Sequence, residues 1–89
     1  FRDIACIFPM SIPVGDVMAM VREISPEIRE AEVFDVYTGE KIGAGRKSVA
    51  FRVRIQAEQR TLTDADVHSI HTKVVNLLEN RFGGTIRTS

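Results

Sequence analysis

The chain has 89 residues and a mass of 10.0 kDa; it is 44% hydrophobic and 27% charged, a size and balance that allow one globular domain and exclude a disordered chain. No apolar run approaches the roughly 20 residues of a membrane span, and a lone cysteine, Cys6, excludes an internal disulfide framework and a thiolate metal site. The formal net charge is zero and names no partner, but its distribution is uneven. Residues 16–40 carry seven acidic against two basic side chains, and residues 41–60 carry six basic against one acidic. The basic block admits an anionic partner at one face, or else guards a solvated edge strand and hairpin. The chain opens on Phe1 without an initiator Met or a signal sequence, and residues 1–89 read as a single domain cut from a longer, cytosolic protein.

Residues 3–8 form a short apolar run stopped by Pro9, which predicts a buried strand. A loop holding Pro13 and Gly15 leads into a helix over about 14–24, where Val17, Val21 and Ile24 recur at helical spacing beside Met20. Ser25-Pro26 ends it, because the residue before a proline is pushed out of the helical region. Residues 31–38 alternate with strand period, Val33, Asp35 and Tyr37 against Phe34 and Val36. A long hairpin loop with Gly39, Gly43 and Gly45 follows. Residues 48–56 then set Val49, Phe51, Val53 and Ile55 on one face and Ser48, Ala50, Arg52 and Arg54 on the other. Thr63-Asp64-Ala65-Asp66 is a helix start signal, its threonine hydroxyl placed to accept from an orphan amide. Val67, Ile70, Val74, Leu77 and Leu78 line one face of the helix, which ends near Gly83-Gly84, and residues 85–87 are long enough for a last strand.

The order strand, helix, strand, strand, helix, strand predicts an α+β fold, the ferredoxin-like βαββαβ arrangement with a four-stranded antiparallel sheet. Two helices cover only one face of such a sheet. The expected core is Phe34, Val36, Val49, Phe51, Val53, Ile55, Val67, Ile70, Val74 and Leu77. The uncovered face is expected to present Asp35, Tyr37, Ser48, Ala50, Arg52, Arg54, Thr85 and Arg87.

That face combines an aromatic ring, three arginines, a carboxylate and hydroxyls. A ring on a sheet gives an unstacked base a surface to lie on, and a carboxylate accepts from base amino and imino groups. The same residues also suit a solvated sheet with cross-strand ion pairs such as Asp35 with Arg52. Other constellations carry less. His68 and His71 stand at i and i+3 on the second helix without further ligands at workable spacing. Gly43-Ala44-Gly45-Arg46-Lys47-Ser48 imitates a phosphate loop, but Lys41 and Arg46 occupy the positions that would have to be glycine, and the loop joins two strands. Cys6 sits in an apolar run without an activating neighbour, Ser48 has no histidine on its face, and Met18 with Met20 fills core. No catalytic set emerges.

Five words of sequence occur in register: Arg2-Asp3-Ile4-Ala5, Phe34-Asp35-Val36-Tyr37-x-Gly39, Gly45-Arg46-Lys47-Ser48-Val49-Ala50-Phe51-Arg52, Arg60-Thr61-Leu62-Thr63-Asp64 and Phe82-Gly83-x-x-Ile86-Arg87. Through them nearly the whole chain resembles the ferredoxin-fold anticodon-binding domain at the C-terminus of the phenylalanyl-tRNA synthetase beta subunit. Arg46, where a second Lys or a His is frequent, and Gly83-Gly84 depart mildly from the family pattern. The resemblance implies an RNA-binding module that reaches the anticodon region of phenylalanine tRNA, with Asp35, Tyr37, Ser48 and Arg87 approaching the bases; alternation adds Arg52 and Arg54 on the same face as candidate RNA contacts. It implies a cytoplasmic ligase as parent, working with an alpha subunit in a heterotetramer and using ATP and magnesium, while the domain itself carries no cofactor, no metal and no catalytic site. A ferredoxin-like docking or regulatory module without RNA contact, and the equivalent domain of a single-chain organellar phenylalanyl-tRNA synthetase, are the alternatives.

Overall fold

The computed structural model describes residues 2–58 and 60–87. Its elements are β1 (Arg2–Pro9), α1 (Val14–Glu23), β2 (Ile28–Tyr37), β3 (Arg46–Ile55), α2 (Asp64–Asn80) and β4 (Thr85–Arg87), the βαββαβ order expected of a ferredoxin-like fold. All strand pairs are antiparallel, in the spatial order β2-β3-β1-β4. The two central strands carry the alternation that makes one face apolar. Ile4, Cys6 and Phe8 of β1 and Val49, Phe51 and Val53 of β3 are buried together with Ala31 of β2.

The helices close over this face. α1 contributes Val17, Met18 and Val21, α2 contributes Ile70, Val74 and Leu78, and all join the sheet residues in one core cluster. Arg22 Nη2 donates to the Ala31 carbonyl at 3.0 Å and fastens α1 to β2. α2 starts with a full capping box: the Asp66 amide donates to Thr63 Oγ1 at 3.1 Å, and the Thr63 amide donates to Asp66 Oδ2 at 3.0 Å. It ends at a turn where Gly83 takes φ +65°, a conformation that costs glycine little.

Two of the expected core residues are not core. Phe34 is 58% exposed and Val36 is 51% exposed. For Phe34 the cause is a register shift in β2. Val33 pairs with Phe51, but Asp35, two residues on, pairs with Ala50, so Phe34 is an extra residue in the ladder. Alternation therefore changes parity inside the strand. Before the shift Ala31 and Val33 face the helices; after it Val36 does, opposite Val49, but it lies outside the core cluster at the end of an edge strand. Ile55 and Leu77 pack against the core without being fully buried, and Val67 is only half-buried. In α1 it is Met18 that enters the core, while Met20 is half-buried.

Candidate nucleic-acid interface

Residues paired directly across antiparallel strands share a face, so the pairings map the side of the sheet away from the helices. Tyr37, Ser48, Ile7 and Thr85 form one row across β2, β3, β1 and β4. Asp35, Ala50, Ala5 and Arg87 form the next. Glu32, Arg52 and Asp3 follow, then Glu30 with Arg54. Asp35, Tyr37, Ser48 and Arg87 thus occupy two neighbouring rows, about 7 Å apart by strand geometry. Arg52 and Arg54 lie on the same face, one and two rows further along. The central strand contributes Asp3, Ala5 and Ile7, which sequence reasoning left out. The alternation of Ile4, Cys6 and Phe8 with them was the signal that could have placed them.

Within the two rows the side chains are organised around short residues. Arg87 Nη1 donates to Ser48 Oγ at 3.1 Å, reaching from β4 to β3 across the intervening β1. Ala5, paired with both Ala50 and Arg87, offers only a methyl group to that crossing. Ser48 is 4% exposed, so its hydroxyl holds Arg87 in place and leaves little surface of its own. Tyr37 is 47% exposed and lies back over Gly39: a Cβ there would stand 2.7 Å from the Tyr37 hydroxyl and 3.0 Å from Cζ. Among the described residues Asp35 has no hydrogen-bond or ion-pair partner, and the expected Asp35–Arg52 ion pair is not formed.

Arg52 instead clasps Asp3 with two bonds, Nε at 2.8 Å and Nη2 at 3.2 Å, and its guanidinium lies over the Phe34 ring, 5.6 Å from the centroid. That hydrogen bonding holds the Asp3 carboxyl below its usual range and raises the Arg52 guanidinium. Arg54 pairs with Glu30 at 3.2 Å and donates to Gln56. Both arginines of the far half of the face therefore share their charge with carboxylates, and Glu32 adds one more negative charge there. The half near Tyr37 differs: Lys41 and Arg46 in and beside the β2–β3 loop, and Arg87, have no carboxylate partner among the described residues. Lys47 is committed to the Ile12 carbonyl at 2.6 Å.

Among the described residues the other groups that could carry chemistry are buried or committed to partners within the protein. Burial first, then the Glu79 charge, pushes the Cys6 thiol up to about 11, which keeps it neutral near pH 7. No group of three His, Cys, Asp or Glu side chains among the described residues could hold a metal ion. The loop resembling a phosphate cradle opens no helix, and α2 carries Asp64 and Asp66 in its first turn, which repel phosphate. ATP and magnesium do not fit these residues. A cleft of about 410 Å³ at the strand ends is lined by Arg29, Arg60, Glu27 and Glu58, but Arg29 pairs with Glu58 and Arg60 with Glu27 and Asp66, so its charges are satisfied within the protein. None of the described helices is long and apolar enough to cross a membrane.

Comparison with known proteins agrees with this architecture. Residues 1–87 match the family model of the ferredoxin-fold anticodon binding domain. The chain is 45% identical over 87 residues to the phenylalanine–tRNA ligase beta subunit of Desulfotalea psychrophila, covering 97% of this chain and 11% of that protein. It is 39% identical over 87 residues to the beta subunit of Clostridium tetani, with the same coverages of 97% and 11%. With that of Rickettsia bellii it shares 35% over 88 residues, 98% of this chain and 10% of the relative. The chain spans about a tenth of the length of the curated relatives it matches. The family match over 87 residues and the fold lead to one conclusion: the chain belongs to the ferredoxin-fold anticodon-binding domain family.

Proposed function

We propose that the uncovered sheet face reads unpaired bases in the anticodon region of phenylalanine tRNA, as the non-catalytic anticodon-binding part of a cytoplasmic phenylalanine–tRNA ligase beta subunit. The parent would work with an alpha subunit and draw on ATP and magnesium bound elsewhere. One observation carries the reading: Asp35, without a hydrogen-bond or ion-pair partner among the described residues, shares a two-row patch with Tyr37, its neighbour on β2, and with Arg87, at the far end of its own row on β4. A carboxylate on a surface meant for phosphate alone would be repulsive. Beside a stacking ring it accepts from base amino or imino groups, which gives discrimination. Tyr37 supplies stacking, worth about 1–3 kcal/mol per base. Arg87, steadied by Ser48, supplies donors for a base edge or a phosphate. Arg52 and Arg54 belong to the same face, but each shares its charge with a carboxylate, so the larger phosphate contribution falls to Arg46, Lys41 and Arg87.

The experiment is aminoacylation by the full-length ligase, comparing native and anticodon-substituted phenylalanine tRNA. Asp35→Ala and Tyr37→Ala should erode the preference for the native anticodon; an unchanged preference would favour the docking module without RNA contact.

A further inference from the structure

Phe34 was expected in the core and is instead the most exposed of the large apolar side chains named here, at 58%. The bulge that releases it also aims it. Its ring lies under the Arg52 guanidinium, and Arg52 stands on the uncovered face between Glu32 and Asp3. Phe34 therefore joins the face that carries Asp35 and Tyr37, on the same edge strand. The strand separation between Phe34 and Tyr37 is three residues, roughly 10 Å at an ordinary rise, with Asp35 between them. Arg52 is itself anchored by two bonds to Asp3, so the cation over the ring is held in place.

We propose that Phe34 is a second stacking position, taking an unpaired nucleobase next to the one read at Asp35 and Tyr37; this rests on the reading of the face given above. The occupant is a base of the same RNA strand because Phe34 adjoins Asp35 on β2 and its ring lies beside Arg52 on the face that carries Tyr37. The surrounding charges also favour an uncharged, flat ligand. Asp3 already takes up the Arg52 charge and Glu32 adds a further negative charge in the same row, which disfavours phosphate, whereas a neutral π-system can lie against a ring and a guanidinium plane together. Stacking is indifferent to base identity, so Phe34 adds affinity where Asp35 adds discrimination.

The test uses the full-length ligase and phenylalanine tRNAs carrying 2-aminopurine at each unpaired anticodon-loop position in turn. Phe34→Ala should raise the KM for tRNA by about 5-fold to 150-fold and leave kcat and the preference among anticodons unchanged. It should relieve the quenching of 2-aminopurine at one position, different from the position relieved by Tyr37→Ala. Phe34→Trp should keep both affinity and quenching, and Phe34→Leu, which retains apolar bulk, should lose the quenching. If Phe34→Ala leaves KM and every fluorescence signal unchanged while Asp35→Ala and Tyr37→Ala still alter anticodon preference, Phe34 takes no base and only the proposal fails. Equal losses in Phe34→Trp and Phe34→Ala would also overturn stacking. If Asp35→Ala and Tyr37→Ala change nothing either, the reading of the whole face fails, and the second position with it.

Discussion

Replacing Gly39 by alanine separates the placement of Tyr37 from the stability of the fold. Gly39 is not among the glycines with positive φ, so its backbone suits any residue. An added Cβ would stand 2.7, 3.0 and 3.3 Å from the hydroxyl, Cζ and Cε1 of Tyr37, where ordinary contact begins at 3.4 Å. The ring tip must move by about 1 Å to restore van der Waals separation. That movement is cheap, because the ring ends a flexible side chain and is 47% exposed. Gly→Ala at a compatible backbone gains about 0.4–1 kcal/mol through the unfolded chain. Gly39→Ala should therefore leave stability within about 1 kcal/mol of the parent while displacing Tyr37. Tyr37 is the only tyrosine and the chain has no tryptophan, so intrinsic emission near 305 nm reports this ring alone. A changed emission or acrylamide quenching with a nearly unchanged urea midpoint is the expected pair of results. Unchanged emission would show that the ring does not rest on Gly39. A loss above about 2 kcal/mol, beyond what a surface Gly→Ala change produces, would show that the glycine serves the backbone instead.

Gly84→Ala should behave oppositely: its Cβ would meet buried Cys6 Sγ at 2.5 Å, Phe8 Cε1 at 2.9 Å and the Leu78 carbonyl at 3.0 Å, so urea unfolding should show a loss of about 1–3 kcal/mol, and a neutral result would mean that the α2–β4 turn yields easily. The His71 imidazole lies below its ordinary 6.5, by burial first and then by the charges of Arg2 and His68, and its Nδ1 has no hydrogen-bond partner among the described residues. As pH falls the unfolded chain takes this proton first, so stability should decline from about pH 6.5 downward until the folded imidazole also protonates; thermal melts at pH 7 and 5.5 should show a shallower decline in His71→Gln, and parallel declines would refute the assignment. Lys41→Ala and Arg46→Ala should each reduce the salt slope of tRNA binding by about 0.7, with smaller reductions for the ion-paired Arg52→Ala and Arg54→Ala; the reverse ranking in filter-binding titrations would place the phosphates at the other end of the sheet.

The element order was legible in the sequence because each element carries its own period, and α2 its own start signal at Thr63 and Asp66. Asp35, Tyr37, Ser48 and Arg87 were placed on one face by alternation, and the pairings keep them together. Phe34 was misplaced because alternation has no marker for an inserted residue: Val33, Phe34 and Val36 are all apolar, and a bulge moves the parity from one to the next. Which carboxylate Arg52 takes was equally illegible. The choice of Asp3 over Asp35 depends on β1 lying beside β3 in one register, a fact of long-range pairing that no local pattern encodes. That Arg52 and Arg54 are paired while Lys41 and Arg46 have no carboxylate partner among the described residues follows from the same pairings; Arg60, in the β3–α2 loop, pairs with Asp66 and Glu27 instead.

The central claim is that Asp35 and Tyr37 read bases. Its most direct test is kcat/KM for aminoacylation of native and singly anticodon-substituted phenylalanine tRNA by the full-length ligase and by its Asp35→Ala variant. Loss of a base-reading contact is worth about 1–3 kcal/mol of discrimination, so the ratio of native to substituted tRNA should fall by about 5-fold to 150-fold at one anticodon position and hold at the others. A ratio unchanged at every anticodon position, with the variant folded and active, would contradict the account.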